Sequence, residues 1–406
     1  MFTFFVQQDK KPLALVPDCR SCGLALKCQN SVLKAVKRPS KTVIVVNGPN
    51  EDLPDGVKHQ KRLSAALEKA GLSIHDYSIV PAIACPGDKL NPKVQYWKYC
   101  QPLMIQQIKA LEPEKIIVYG KHAIASVIDW LYREHAELPD RWIGRKIPCR
   151  ELNAWVLPIG NKGMVVNPAV AQTWLYRFIR EADSIQGRPY DQVPDYHKTI
   201  KILHDAESVK QALGAASRSP LSAFDYETNC LRPEKPKAKI FTASVAWLEG
   251  TESKCVAFPM KAEFIQYWIE YLLSDSAKIA ANMKFEHRWS KKHFGVDVKR
   301  LMWDTNLVGH MYDPQPGVSS LKFQAFRDLG LPFYAGEVEK YFTTQDEAGY
   351  NSIHLANTRS LLEYNAIDSL AELDLGILQM YQSPIGSEFW SSALPNKRFY
   401  TKGMWL

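Results

Sequence analysis

Five side chains in the second half of the chain have the types and spacings of a metal centre. Asp225 and Glu227 lie two apart in the segment LSAFDYE. That segment reads as a strand, and strand alternation carries both carboxylates to one face. Tyr364 and Asp368 are four apart in LLEYNAIDSLAEL, whose pattern is helical, so they share a helix face. Glu286 stands in IAANMKFEHRW, where a short strand delivers Asn282 and a helix begins near Lys284. Carboxylates held close together repel one another unless a cation lies between them. Magnesium and manganese prefer such oxygen ligands. Two of these ions about 4 Å apart activate a water and stabilise a leaving oxygen in phosphodiester hydrolysis. Asp225, Glu227, Glu286 and Asp368 are the candidate metal ligands, and Tyr364 is the candidate to orient the water. Taken alone, the Asp225-x-Glu227 pair is also the pattern of a sheet edge facing water.

Thiols form a second group at the other end. Five of the eight cysteines, Cys19, Cys22, Cys28, Cys85 and Cys100, fall within the first hundred residues. Nothing at the amino terminus reads as a secretion signal, so a metal site is a better reading than a disulfide framework. Thiolates suit zinc and an iron–sulfur cluster equally on chemistry alone.

Two kinds of layered domain must position these groups. In the front half, strands at 41–46, 77–84 and 115–120 alternate with helical patterns at about 61–70, 97–111 and 121–133. That rhythm predicts an α/β sandwich, helices on both faces of a mostly parallel sheet. A polar stretch, SIQGRPYDQVPDYHK, reads as a linker at 186–198. Beyond it, strands come first (198–205, 221–227, 239–248, 253–260) and helices later (262–274, 284–294, 303–312, 318–328, 358–380). This order predicts a mixed sheet packed against helices.

Charge divides along the same line. Residues 1–190 hold 27 Lys and Arg against 17 Asp and Glu, and residues 191–406 hold 24 against 26. A basic front half suits a polyanion such as DNA, or is simply a solvated surface. No apolar run reaches the length of a membrane span, and the expected location is the cytoplasm.

The segments at 224–228, 279–289 and 361–373, with WDTNLVGHMYDPQPGVSSLKFQ at 303–324, resemble the proofreading domain of family A DNA polymerases, bacteriophage ones especially. These are DEDD 3′–5′ exonucleases with a tyrosine in the last motif. The resemblance covers about 199–380, within an exonuclease domain expected at 199–383. It implies a ribonuclease H-like fold and two magnesium or manganese ions. It also implies Asp225, Glu227, Glu286, Tyr364 and Asp368 as active site, with single-stranded DNA 3′ ends as substrate. Glu286 departs from the pattern, which has aspartate there.

The front domain, 1–185, resembles the iron–sulfur class of uracil-DNA glycosylases on its paired cysteines, LEKAGL and EPEKIIVYGKHA. The resemblance implies a 4Fe–4S cluster on Cys19, Cys22, Cys85 and Cys100. It leaves Cys28 unassigned. The catalytic pocket is eroded. Asn47 replaces the acid of the first motif and Asn50 a glycine. Asp55 stands near the stacking aromatic, Pro81 at the uracil-reading asparagine, and Asn167 at the histidine. The expectation is a DNA-binding module without uracil excision. A non-catalytic scaffold and a glycosylase for a modified base are the rival readings. In the tail, 384–406, KGMWL resembles the start of a polymerase thumb. A DNA polymerase, on the same chain or a separate one, is therefore the expected partner.

Overall fold

A computed structural model describes residues 5–7, 22, 33–48, 60–85, 96–132, 139–160, 168–189, 195–314, 317–331, 334–336, 338–344 and 349–382. Cys19, Cys28, Asn50, Asp55, Asn167 and the tail lie outside the described residues. The chain divides into two units, the first running to Gln192 and the second beginning at Val193.

In the first unit a small antiparallel pair, β1 (Phe5–Gln7) and β2 (Leu33–Ala35), accompanies a five-stranded sheet. The β-branched run Thr42–Val46 makes β3, followed by β4 (Ser78–Pro81), β5 (Lys115–Tyr119), β6 (Ile147–Cys149) and β7 (Ala154–Gly160). Their order is β4-β3-β5-β7-β6. The first four are parallel and only β6 is antiparallel, to β7, so the sheet is mostly parallel, as expected. The Arg150–Leu152 turn and left-handed Asn153 join these two strands. So short a connection can link only antiparallel neighbours.

The helices are α1 (Gln60–Lys69), α2 (Tyr96–Leu111), α3 (Lys121–Leu131) and α4 (Pro168–Ser184). The chain steps from β3 outward to β4, then back past β3 to β5. Right-handed crossovers therefore put α1 and α2 on opposite faces. Accordingly α1 packs with α4, and α2 with α3.

The second unit opens with α5 (Tyr196–Thr199), β8 (Ile200–Ile202) and α6 (Ala206–Arg218). Three long strands follow: β9 (Leu221–Thr228), β10 (Ile240–Glu249) and β11 (Glu252–Pro259). Then come α7 (Ile265–Leu272), β12 (Ala277–Ala280), α8 (Met283–Phe294), β13 (Leu301–Asp304), α9 (Thr305–Tyr312), α10 (Leu321–Leu329) and α11 (Thr358–Gln382). The sheet order is β13-β12-β9-β10-β11-β8. β10 runs antiparallel to β9 and β11, whereas β12 and β13 are parallel to β9. This is the mixed sheet of the ribonuclease H-like fold. One expected helix is corrected. Trp303 and Asp304 belong to β13, and the helix starts at Thr305 because Asp304 caps it.

Alternation along β9 sorts its side chains between two cores. Leu221 and Ala223 face α11, in a core with Ala246, Ala257, Leu362 and Leu370. Phe224 and Tyr226 face α6 and α7, in an aromatic core with Trp268, Tyr271 and Trp289. Asp225 and Glu227 share the parity of Ala223 and so point toward α11.

Helix α11 lies very close to the sheet at Gly376. A Cβ added there would stand 2.8 Å from Ile279 Cδ1 and 2.9 Å from its Cγ2. Gly376→Ala is expected to cost about 1–3 kcal/mol through overpacking, read as a lower urea midpoint with an unchanged slope. An unaltered midpoint would contradict this close approach. Among the described residues, no helix is long and apolar enough to cross a membrane.

Candidate metal centre

Three carboxylates converge where β9 meets α11. Asp225, Glu227 and Asp368 each offer an oxygen within 4.8 Å of the others. Local structure explains how. Asp225 and Glu227 share a strand face, and Asp368 projects from α11, which packs on that face. Neighbouring side chains then hold two of the acids. Thr242 Oγ1 donates to Asn365 Oδ1 (2.9 Å), and Asn365 Nδ2 donates to Asp225 Oδ2 (2.7 Å). The Tyr334 hydroxyl donates to Asp368 Oδ1.

Tyr364 lies one turn before Asp368 on the same helix face. Its ring packs against Tyr334 (5.8 Å between centroids) and Phe342 (5.2 Å). The half-buried Lys322 ammonium lies 5.3 Å from the centre of the same ring. Its charge reaches both Asp368 and Glu227.

Glu286 stands outside the trio. It is buried in the first turn of α8, close enough for the charge of Asp225 to act on it. Its Oε2 is buried without a hydrogen-bond partner among the described residues. Asp304 sets where α8 begins. Its Oδ1 accepts from Asn282 N (3.1 Å), Asn306 N (3.0 Å) and Leu307 N (3.0 Å), and its Oδ2 from Met283 N (3.0 Å). One side chain thus caps two helices. Asp304→Ala is expected to cost about 2 kcal/mol and to weaken divalent-cation binding by letting Glu286 move. A melting curve and a manganese titration check both halves.

The electrostatics are those of acids crowded together away from water. Burial, then the charge of Asp368, pushes the Asp225 carboxyl well above the usual range. Burial and the neighbouring acids do the same to Glu227. Burial raises Asp368 to about 6, opposed by the Tyr334 hydrogen bond and Lys322. Burial and Asp225 raise Glu286. Hard divalent cations fit this donor set: all-oxygen, buried, mutually repelling, with an orphaned oxygen at Glu286.

The residue reading missed several participants. Glu372 is buried one turn beyond Asp368, and its carboxyl is raised by burial, Asp225, Glu286 and Asp368. Its spacing from Asp368 was a usable signal. Asn365, Tyr334 and Lys322 carried none, because only folding brings them to the acids. Trp289, three residues after Glu286 on α8, is fully buried and stacks on His293.

In the first unit, Cys22, Cys85 and Cys100 pack in one cluster with Ile83, Tyr96, Trp97 and Ala125. Among the described residues, no three cysteines bring their sulfurs within 4.8 Å of one another. Asn47, at the acid position of the eroded motif, has a structural task. It follows β3 at the point where the sheet's connections reverse direction, the place where α/β sheets bind ligands. There its Oδ1 accepts from His122 N (2.9 Å) and Ala123 N (3.2 Å), the first donors of α3. Gly120 has φ 113, and a Cβ there would lie 2.3 Å from Asn47 Oδ1. The amide of Asn47 therefore occupies the helix terminus.

No protein-family model matches the chain, and no curated protein matches it. Solved structures with similar shape include RNase D of Escherichia coli, an exoribonuclease (13% identity, TM-score 0.36, 48% of each chain covered). Another is NrnC of Brucella melitensis with bound Mg2+ (13%, TM-score 0.33, 50% of this chain and 99% of that one). A third is the polymerase domain of Pol1 from M. smegmatis, in complex with DNA primer-template and dNTP (12%, TM-score 0.34). That match spans 48% of this chain and 29% of the polymerase chain, and the RNase D match spans about half of its partner.

Proposed function

We propose that the second unit is a metal-dependent 3′–5′ exodeoxyribonuclease that proofreads for a DNA polymerase. The observation that carries this reading is the trio Asp225, Glu227 and Asp368, whose oxygens lie within 4.8 Å of one another, with Tyr364 one helical turn before its third member. Asp225, Glu227, Glu286 and Asp368 would hold two magnesium or manganese ions. When bound, such ions supply an activated water and a stabilised leaving oxygen. The chain's own residues do the rest. Thr242 and Asn365 fix the rotamer of Asp225, and Tyr334 fixes Asp368. The Tyr364 hydroxyl, one turn before Asp368, would orient a water.

The polymerase partner, and DNA over RNA as substrate, rest on the resemblance of 199–380 to family A proofreading domains. The front domain, whose residues 1–190 carry a net +10, is read as a DNA-binding module. Cys22, Cys85 and Cys100, already gathered in one cluster, would hold a 4Fe–4S group together with Cys19. The Asn47 plug favours the loss of base excision. A broad visible absorbance of anaerobically purified protein, lost on air oxidation, checks the cluster, and a colourless zinc protein would refute it.

The exonuclease reading is tested with 5′-labelled single-stranded DNA and magnesium or manganese. A ladder of products shortened from the 3′ end is expected. DNA binding without shortening in either metal would sink the enzyme and leave the scaffold reading.

A further inference from the structure

Glu372 has no part in the ligand set above, yet it is one of the most buried acids in the chain, 1% exposed. It follows Asp368 by four residues on α11 and so shares its face. Its Oε1 accepts from Ala281 N at 3.1 Å. That bond fixes where the carboxyl sits. Ala281 follows β12, and β12 pairs with β9 so that Ile279 lies opposite Ala223. Ala281 comes just after the end of β12 and leads into α8. The Glu372 carboxyl is thereby held at the turn from which α8 and Glu286 depart, where the charge of Asp225 acts on it.

The remaining oxygen of Glu372, Oε2, is buried and has no hydrogen-bond partner among the described residues. The same holds for Glu286 Oε2. Buried carboxylate oxygens without donors are costly. Here two of them come from different helices, and the charge of Asp225 acts on both. Among the described residues no side chain donates to either oxygen, and a divalent cation with oxygen ligands would satisfy both. Glu286 and Glu372 both stand outside the 4.8 Å trio of Asp225, Glu227 and Asp368, so each needs a companion if it is to hold an ion.

We propose that Glu372 is a fifth carboxylate of the metal centre, holding the second divalent cation together with Glu286 and Asp225. This rests on the reading of the site as a two-ion centre. The charges are consistent with it. Five carboxylates oppose two divalent cations, and Lys322 adds one more positive charge beside Glu227 and Asp368.

The test is a manganese titration of the whole chain, followed by calorimetry and by electron paramagnetic resonance. Wild type is expected to bind two ions per chain. Glu372→Gln keeps the shape and the acceptor for Ala281, and is expected to weaken the second ion by about tenfold or more while sparing the first. Glu286→Gln is expected to weaken the same ion, and the double variant to do little more than either single one. Glu372→Asp serves where Gln does not fold, with the same weakening expected. Two ions bound with wild-type affinity in the Glu372 variants would overturn the fifth ligand and leave the enzyme reading intact. Wild type that binds no manganese would overturn the two-ion centre itself.

Discussion

Asp225→Asn is expected to abolish 3′-end digestion and, at the same time, to make the metal-free protein more stable. Asp225 is the shared member of the site. It belongs to the trio, and its charge acts on Glu227, Glu286 and Glu372. Losing it removes electrostatic stabilisation of the reaction, and about a thousandfold fall in rate follows. In the folded protein without metal, the same charge is held against burial and against Asp368. Removing it relieves that repulsion and is expected to add about 1–2 kcal/mol. Asparagine keeps the shape and can still meet Asn365 after an amide rotation, so the fold survives. Opposite signs in the two assays distinguish a functional carboxylate from a structural one. A variant that loses activity and stability together would place Asp225 among the fold's supports instead.

Without divalent cations, the protein is expected to lose stability as pH rises from about 4 through 6 and beyond. The direction follows from the raised carboxyls. An acid with a higher pKa in the folded state binds more protons folded than unfolded between the two values. Stability is then full below the unfolded pKa and falls as pH climbs through the folded one. For Asp368 the folded value is about 6. Against an ordinary aspartate this window is worth on the order of 3 kcal/mol. Asp225, Glu227, Glu286 and Glu372 are raised as well, by burial first and then by one another, and extend the loss to higher pH. Saturating magnesium should remove most of the slope, because the cations favour the ionised forms. Melting temperatures across this range, with chelator and with magnesium, measure it. A flat profile in chelator, or one that magnesium leaves unchanged, would contradict the cluster as a cation site.

Much of the site was legible in the chain because its first elements obey local periods. LSAFDYE alternates apolar residues on both sides of a buried strand, so the shared face of Asp225 and Glu227 followed from period two. The four-residue step from Tyr364 to Asp368 followed from the helix turn. The two elements are also long, eight and 25 residues. Short elements gave no such signal. β13 has only four residues, all half-buried at the sheet edge, and its sequence LMWD ran on smoothly into the helix pattern behind it. β6 has three. Their existence depends on a neighbouring strand that supplies hydrogen-bond partners.

Sequence by itself determined the donor chemistry: which acids exist, which pairs share a face, and that a basic cysteine-bearing half precedes an acidic one. Tertiary structure alone decided which groups meet. It buried α11 on nearly every side, from Leu361 to Met380, which hid Asn365 and Glu372 among apolar neighbours that looked like core. It turned Asn47 onto the start of α3, some 75 residues away. It made Asp304 a cap for two helices at once. It left Glu286 near Asp225 but outside the trio, with an unpartnered oxygen like that of Glu372. The physical reason is common to all four. A side chain's face is set by the backbone period within one element, whereas its partner is set by the packing of elements distant in the chain, which local pattern does not encode.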